Sequence, residues 1–331
     1  MATDSETQRK TMPVIELRTS GKPSKSVSSP GQIGIVATGE PEAVIKAEAV
    51  VGLDVTFPPI GQCPSTAFTF NGGAIGTADP VQLLFWGSIW QTLLDPSNPG
   101  QLLFNTFTAA VKSILAGPYM SGLLQYGVSR CSFGNAQVIN SNPPFLPNTF
   151  TDQTVQTLMQ NLIDQGTFPE PDEPGGRNLY FVMMPPNTQY QPPPGQPAAR
   201  GAHSSFSSGS SIDPDNVWLA WVGSNSLSQM TSTFCHELVE MCTDPEPPSS
   251  WWINGANPAC AEIGDVCNNQ NNPLNGVTVQ SYFSVFDNVC LIPTAWSLRR
   301  TLAAAGKKLN GKGLLSLQQS IPSLNQFIVN L

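Results

Sequence analysis

Hydrophobic and polar positions follow two distinct patterns along the middle of the chain. Short apolar runs, typical of strands buried on both faces, lie at residues 81–86, 178–184 and 217–222. Apolar residues at helical spacing predict helices over residues 101–117 and about 152–164, and a third helix that begins near Leu227. Because strands alternate with helices, we expect an α/β (α+β) fold with a mixed sheet and flanking helices.

The same patterns divide the chain into three parts. Residues 1–45 are rich in Thr, Ser, Lys, Pro and Gly with little periodicity, which predicts a flexible N-terminal tail. Residues 46–293 are predicted to form a single domain, which is loop-rich after Pro245 and has one more strand at 279–285. Residues 294–331 combine spaced leucines with several Lys and Arg, which predicts an amphipathic C-terminal extension.

The predicted third helix has a capping signal and one apolar face. Ser226, followed three residues later by Gln229, is the pattern of a capping box. The core stripe consists of apolar residues at helical spacing, namely Leu227, Met230, Phe234, Leu238 and Met241. His236 and Glu240 lie four residues apart, so their side chains project side by side, roughly opposite to Leu238.

The pentapeptide 236–240 on this helix has the residue types of a divalent-metal site. Side chains four residues apart on a helix have Cβ atoms about 5–6 Å apart, so an imidazole and a carboxylate can bind one ion. Glu237, one position around the helix, is placed to reach a water on the ion instead of the ion itself. This is the geometry of the H-E-x-x-H helix with Glu240 in place of the second His, and it predicts a zincin-like active-site helix.

A catalytic zinc normally takes three protein ligands and leaves one position for water. The third ligand must come from outside the pentapeptide, and Glu262 is the leading candidate. Asp244, four residues beyond Glu240, is the alternative. Asp265 is a candidate for the hydrogen-bond acceptor that orients the ring of His236.

The charge distribution favours a cation here over an ordinary solvated pair of His236 and Glu240. Charged residues make up 11% of the chain, less than half of the usual fraction of about a quarter. Residues 236–265 nevertheless contain seven acidic or imidazole groups and no Lys or Arg. Without a basic partner these groups repel one another, unless a cation offsets their charge.

The second histidine of the chain, His203, lies in a stretch rich in Pro, Gln, Gly and Ser. This stretch, from Asn187 to Ser211, predicts a surface loop. His203 is a candidate fourth metal ligand, or a hydrogen-bond donor to a developing oxyanion. The competing interpretation is a structural histidine that is bonded to the main chain of a tight loop.

Composition argues against two classes of partner and against a classical export signal. The net charge of −8 argues against nucleic acid, because binding to it needs a basic patch. The sequence has no run of 18 apolar residues, so we expect no membrane span. Residues 1–30 lack the apolar region of a secretory signal peptide.

Seven cysteines are too few for a disulfide scaffold in a chain of 331 residues. Cys235 and Cys242 are seven residues apart on the third helix, share a face, and are predicted to be small buried core residues. Three further cysteines, Cys260, Cys267 and Cys290, lie in the loop-rich C-terminal part. In an oxidising compartment we expect a disulfide between Cys267 and Cys290.

Six short blocks occur in an order that matches a known family. They are residues 83–87 (LLFWG), 201–204 (GAHS), 220–223 (AWVG), 236–245 (HELVEMCTDP), 251–252 (WW) and 262–267 (EIGDVC). Over about residues 80–292 the chain resembles the EXORDIUM-like, phosphate-induced protein 1 family of plants and its bacterial and fungal relatives. The resemblance implies an extracellular, secreted or wall-associated protein linked to growth regulation, without a settled biochemical activity. The chain departs from the plant pattern in lacking an obvious signal peptide.

The preferred functional hypothesis is a zinc-dependent metallohydrolase that acts on a peptide or another small polymeric substrate. Zn²⁺ on His236, Glu240 and Glu262 would lower the pKa of its water toward about 7, and Glu237 would act as general base. A ligand set with a single imidazole is an objection, because the bound water is then a poorer acid.

Two rival hypotheses use the same residues. In the first, a non-enzymatic binding or signalling protein uses the metal to join residues 245–290 to the helix. In the second, the ion is Ca²⁺, bound through oxygen by Glu240, Asp244, Glu262 and Asp265. His236 then lies outside the ligand shell, so the identity of the metal separates the second rival from the others.

Overall fold

The computed structural model describes residues 54–63, 66–140, 148–173, 176–196, 198–208, 216–224 and 226–294. The predicted tail over residues 1–45 lies outside the described residues, and so does the predicted extension over 294–331, apart from Thr294. The described residues combine helices with a mixed sheet, which confirms the predicted α/β (α+β) fold class.

Three α-helices form where apolar residues recur at helical spacing: α1 (Leu103–Ala116), α2 (Asp152–Asp164) and α3 (Leu227–Thr243). The predicted bounds of α2 and the predicted start of α3 are confirmed. Helix α1 stops before Gly117, and proline at position 118 opens the following 3-10 helix instead of continuing α1. Short 3-10 helices occupy Ser88–Gln91, Pro118–Tyr126, Pro258–Cys260 and Asp265–Cys267.

The strands of the described residues are mostly short. In chain order they are β1 (Val55–Phe57), β2 (Thr69–Phe70), β3 (Pro80–Trp86), β4 (Ser132–Ile139), β5 (Thr149–Phe150), β6 (Asp172–Glu173), β7 (Gly176–Arg177), β8 (Leu179–Met184), β9 (Gln189–Tyr190), β10 (Gly201–Ser207), β11 (Asn216–Gly223), β12 (Trp251–Trp252), β13 (Asn271–Leu274), β14 (Val277–Gln280), β15 (Tyr282–Ser284) and β16 (Val289–Ile292). The three apolar runs of the sequence form β3, β8 and β11, as predicted.

A five-stranded sheet with the order β10-β11-β8-β3-β4 forms the centre of the fold. Strands β11, β8, β3 and β4 are parallel, and β10 is antiparallel to β11 at one edge. Helix α3 begins just beyond the carboxyl end of β11 and packs back against β11 and β10. The sheet is therefore mixed, and α3 lies under its antiparallel edge.

Alternate residues of the central strands face two separate cores. On β3, Val81, Leu83 and Phe85 pack with α1 and α3, whereas Leu84 and Trp86 pack with α2. This alternation follows from the two-residue period of a strand. Because both faces are covered by helices, both sets must be apolar, which explains the nearly unbroken hydrophobic runs.

Two sequence-based predictions about strands and loops are wrong. Residues 187–211 are not one continuous loop, because β9 and β10 lie within this range. Strand β10 has little hydrophobic pattern and is held by main-chain pairing with β11, in a register that sets His203 opposite Ala220. The predicted strand at 279–285 is two strands, β14 and β15, which are interrupted at Ser281, whose N–H donates to the Gln270 carbonyl.

The N-terminus of α3 has half of the predicted capping box. The hydroxyl of Ser226 accepts a hydrogen bond from the main-chain N–H of Gln229, at 3.4 Å. The side chain of Gln229 does not return to Ser226, because its Oε1 accepts from the hydroxyl of Ser224 at 2.9 Å. One of the free N–H groups of the first turn is thereby satisfied by Ser226.

The cysteines form two disulfides. The predicted pair Cys267–Cys290 is confirmed, and a second pair, Cys63–Cys260, was not predicted from the sequence. The other three cysteines, Cys131, Cys235 and Cys242, are free and buried. The prediction that Cys235 and Cys242 are core residues is confirmed.

Candidate metal centre

Helix α3 carries three of the candidate residues and is anchored by its apolar face. Phe234 is buried, with its ring centroid 4.6 Å from that of Phe181 on β8 and 5.9 Å from that of Phe107 on α1. Leu238 and Met241 of the predicted stripe are buried too. This packing fixes the rotation of α3 and points its polar face toward β10 and the C-terminal part of the chain.

The i,i+4 pair on this face lies as the sequence predicts. The Nε2 atom of His236 is 3.3 Å from Oε2 of Glu240. Glu240 is almost fully buried, whereas the side chain of His236 is 15% exposed. Glu237 is also buried, because β10 passes directly over it.

His203 reaches the centre because the two-residue period of β10 points it toward α3. Its neighbours Ala202 and Phe206 pack on the α2 side, where Ser204 accepts a hydrogen bond from Gln156. His203 is only 5% exposed. The sequence analysis placed this residue in a surface loop, and the correct position follows from the pairing of β10 with β11.

The ring of His203 lies between three carboxylates. Its Nδ1 atom is 3.5 Å from Oε2 of Glu237 and 3.6 Å from Oε2 of Glu240. Its Nε2 atom is 3.4 Å from Oε1 of Glu262 and 3.2 Å from the main-chain carbonyl oxygen of Asp244. His203 therefore contacts two glutamates of α3 through Nδ1, and Glu262 and Asp244 through Nε2.

Glu262 and Asp265 come from a segment that is tied to the C-terminal strands. The N–H of Phe283 donates to the carbonyl of Ile263, and Cys267 is bonded to Cys290. These contacts hold the segment against α3.

Two glycines allow the close approach of these elements. A Cβ atom on Gly264 would lie 2.6 Å from Oε1 of Glu240 and 3.1 Å from Nδ1 of His236. A Cβ atom on Gly201 of β10 would overlap Oε1 of Glu237. Any larger residue at either position must displace these side chains or the element that carries them.

The structure adds a residue that was not found from the sequence. The side-chain amide nitrogen of Gln280, at the end of β14, lies 2.7 Å from Nδ1 of His236. Asp265, the predicted orienting acceptor, instead lies 3.8 Å from the opposite nitrogen, Nε2. The group that holds the ring of His236 is therefore Gln280. No sequence motif distinguishes this glutamine.

The carboxylate of Asp244 belongs to the turn that ends α3. Its Oδ1 atom accepts a hydrogen bond from the N–H of Ser250 at 2.9 Å. Of the two candidates for a third carboxylate ligand, the geometry thus groups Glu262 with His203 and Glu240, while Asp244 contributes its main-chain carbonyl.

Burial and mutual repulsion perturb the acids of the centre. Burial, reinforced by Asp265, Glu262 and Glu237, raises the pKa of Glu240 well above its usual value, although His203 opposes the shift. Burial, with Glu262 as a further cause, raises the pKa values of Asp244 and Asp265 to about 6.

His203 shows the opposite balance of effects. Burial by itself lowers the pKa of an imidazole, but the carboxylates of Glu262, Glu237 and Glu240 outweigh it and raise the pKa of His203 well above its usual value. Among the described residues, the only Arg or Lys in an ion pair is Arg177, whose partners Asp172 and Glu246 lie outside the centre. Glu246 is one of the seven groups of residues 236–265, so the expected absence of a basic partner is wrong for this residue, which lies 3.9 Å from Arg177.

Four buried carboxylate oxygens of the described residues have no hydrogen-bond donor; one, Oδ2 of Asp95, lies elsewhere, and the other three belong to the candidate residues of the centre. They are Oε1 of Glu240, Oδ2 of Asp244 and Oε1 of Glu262, the last of which faces His203 without hydrogen-bonding geometry. Such atoms are costly unless a donor or a cation compensates them. The donor set therefore fits a cation.

Two groups of three residues have donor atoms close enough together to bind one ion, and both groups include Glu240. They are His203, Glu240 and Glu262, and His236, Glu237 and Glu240, each with donor atoms within 4.8 Å of one another. Ligands of a tetrahedral zinc, at about 2.0–2.2 Å from the ion, lie roughly 3.3–3.6 Å apart. The separations of Oε2 of Glu240 from Nε2 of His236, 3.3 Å, and from Nδ1 of His203, 3.6 Å, match this edge length. The 3.4 Å contact of Glu262 is with Nε2, the other nitrogen of His203.

Comparison of the chain with protein-family models, with curated proteins and with solved structures found no match. No helix of the described part of the chain is both long enough and apolar enough to cross a membrane.

Two shallow concavities in the described part of the chain lie away from the centre. One, of about 360 Å³, is lined by Trp86 and the first turns of α2. The other, of about 300 Å³, lies beside Cys260 and is lined mostly by residues 253–257. At the centre itself, His236 and Asp265 are the most exposed of the candidate side chains, at 15% each, so solvent reaches it from their side.

Proposed function

We propose that this protein binds one divalent transition-metal ion, Zn²⁺, and uses it in hydrolysis of a peptide or a similar polymer. The observation that carries the proposal is the position of Glu240. Its Oε2 atom faces both imidazoles of the chain, at 3.3 and 3.6 Å, while its Oε1 atom is buried without a donor. Imidazole nitrogen in such a site favours zinc over calcium, which takes oxygen ligands.

The residues that would hold the ion are grouped around Glu240. His203 and Glu262 lie close enough to Glu240 to share an ion with it, and His236 lies close enough to Glu240 from the other side. When bound, the ion would supply a water of lowered pKa.

Glu237 would act as the general base of this reaction. It is buried, and its Oε2 atom faces the ring of His203 at 3.5 Å. A carboxylate held in this position can accept a proton from a water in the centre and return it to a leaving amine. Gly201 leaves room for this side chain under β10.

A second candidate function is a metal that stabilises a non-enzymatic binding or signalling protein. It is favoured by the enclosure of the centre and by the two concavities, neither of which contains a residue of it. The ion would join β10, α3 and the segment around Glu262, three parts of the chain that are distant in sequence.

Export from the cell is part of the same proposal. Disulfides persist in oxidising compartments, and the chain has two of them, Cys63–Cys260 and Cys267–Cys290. A secreted protein of the EXORDIUM-like type, linked to growth regulation, agrees with these bonds.

The test combines metal content with activity of a single variant. We expect about one zinc per chain by elemental analysis of the purified protein, and cleavage of a broad peptide library. Glu237→Gln retains the size of the side chain but cannot accept a proton, so turnover should fall by about 10²-fold or more while zinc content stays unchanged.

Glu170→Gln is the matched control, because it makes the same chemical change at an exposed position away from the centre. Calcium without zinc would overturn the metal assignment. Cleavage that survives Glu237→Gln would overturn the mechanism. A wild-type protein that binds zinc but cleaves no peptide or ester would favour the second candidate function.

A further inference from the structure

The two imidazoles of the centre present opposite nitrogens to it. His203 directs Nδ1 toward Glu237 and Glu240, whereas His236 directs Nε2 toward Glu240. The nitrogen on the far side of each ring is held by a neighbouring group of fixed hydrogen-bonding character. These neighbours determine where each neutral ring carries its single proton.

The amide of Gln280 is oriented by two main-chain groups. Its Oε1 atom accepts a hydrogen bond from the N–H of Asn269 at 3.2 Å, and its Nε2 atom donates to the carbonyl of Gly264 at 3.2 Å. A main-chain N–H can only donate and a carbonyl can only accept, so a flipped amide would lose both bonds. The nitrogen of the amide therefore faces Nδ1 of His236, at 2.7 Å.

It follows that Nδ1 of His236 is an acceptor. A neutral ring then carries its proton on Nε2, and this N–H points into the centre toward Oε2 of Glu240. Coordination of a metal by Nε2 would require the proton to move to Nδ1. That proton would then face the N–H of Gln280, and the hydrogen bond between Gln280 and Nδ1 would be lost.

His203 has the complementary arrangement. Its Nε2 atom faces the main-chain carbonyl of Asp244 at 3.2 Å and Oε1 of Glu262 at 3.4 Å. The carbonyl can only accept, so Nε2 is the donor. In the neutral ring Nδ1 then has a free lone pair, directed toward Glu237 and Glu240. A metal-binding histidine characteristically donates its second N–H to a carbonyl or carboxylate in this way.

We propose that His203 is the metal ligand, through Nδ1, and that His236 is a hydrogen-bond donor to Glu240. Gln280 is the positioning residue that enforces this division, because its amide holds the proton of His236 on Nε2. The assignment rests on the proposed metal centre and changes its ligand set, since the H-E-x-x-H analogy makes His236 the ligand.

The test uses the full chain, labelled with ¹⁵N and stripped of metal, and records the side-chain imidazole nitrogens by NMR. Only two histidines are present, so His203→Gln assigns both rings. We expect His236 to carry its proton on Nε2 in the metal-free protein. One equivalent of ¹¹³Cd²⁺, a spin-active substitute for zinc, should couple to Nδ1 of His203 and to no nitrogen of His236. Coupling to Nε2 of His236 would overturn the assignment.

Gln280→Glu tests the positioning role. A carboxylate can only accept, so it should move the proton of His236 to Nδ1 and turn the lone pair of Nε2 into the centre. We expect a new cadmium coupling at that nitrogen and about a 10-fold lower Kd for zinc, the lower end of the range for groups that support a ligand. Gln270→Glu is the control, because its amide donates to the carbonyl of Pro58 instead and the proton on His236 should stay in place. An unmoved proton in Gln280→Glu would overturn the role of Gln280.

Two further variants keep the assignment testable if Gln280→Glu does not fold. His203→Ala should raise the Kd for zinc by about 100-fold, and His236→Ala by no more than about 10-fold. The reverse order would overturn the assignment. If the wild type binds neither zinc nor cadmium, the proposed function and the ligand role of His203 both fail. The spectrum of the metal-free protein still decides the role of Gln280.

Discussion

Single residues control how closely β10 and α3 approach each other. Gly201 has no side chain, and the space that a Cβ atom would take is occupied by Oε1 of Glu237 and by the methyl group of Thr233. This contact lies two residues from His203 on the same face of the strand. The position of the imidazole over Glu240 therefore depends on a glycine that contributes no chemistry.

Gly201→Ala should separate the strand from the helix. We expect it to lower the free energy of unfolding by about 1–3 kcal/mol, the usual cost of overpacking, and to weaken zinc binding because His203 moves. Gly223→Ala is the matched control, since a Cβ atom at Gly223 on the paired strand meets only ordinary contacts at 3.5 Å or more. Thermal melts and zinc titrations of both variants decide the matter. Equal effects in the two variants would contradict the close approach.

At the scale of elements, the sequence predicts the helices and strands whose own residues show a clear apolar pattern. Strands β3, β8 and β11 and helices α1, α2 and α3 carry continuous or helical apolar patterns, and the structure has them close to the predicted bounds. Strand β10 has neither pattern. It forms because its main chain pairs with β11, and local sequence carries no information about that partner.

The same distinction applies to the candidate centre. His236 and Glu240 were placed together from helix geometry alone, since their separation of four residues determines their distance. His203 was identified as a candidate but assigned to a loop. Gln280 was missed, because its contact with His236 depends on how β14 packs against α3.

The disulfide Cys267–Cys290 holds the segment that carries Glu262 and Asp265. Replacing both cysteines by serine should lower the free energy of unfolding by about 2–4 kcal/mol, as the unfolded chain gains freedom. Zinc affinity should fall as well, because Glu262 is no longer held against α3. Denaturant unfolding with and without zinc measures both effects. Zinc affinity equal to that of the wild type would show that the bond does not position the segment.

At the scale of the whole molecule, the centre joins the edge of the sheet, the helix behind it and the C-terminal strands. It also concentrates acidic groups in a chain that is acidic overall, with 23 Asp and Glu against 15 Lys and Arg. The long-range charge of the protein therefore attracts cations and adds to the local field of the centre. Without an ion, the same field opposes folding.

The pH dependence of stability should reveal this opposition. Burial raises the pKa values of Asp244 and Asp265 from 3.8 to about 6, so between these pH values the folded metal-free protein binds more protons than the unfolded chain. Stability from these groups is present in full below pH 3.8 and is lost as the pH rises through about 6. The direction is opposite to that of an ordinary salt-bridged carboxylate, whose pKa is lowered.

In EDTA, the melting temperature should therefore fall between about pH 4 and pH 6, because in this interval the folded state holds protons that the unfolded chain has lost. Saturating zinc should reverse the trend, since a metal competes with protons for its ligands and binds more tightly as they ionise. The increase in melting temperature caused by zinc should grow over the same interval. Thermal melts at half-unit steps of pH measure it, with Asp265→Asn as the control that flattens the curve in EDTA. Parallel curves in zinc and EDTA would contradict both the repulsion among the acids and the cation that we propose to relieve it.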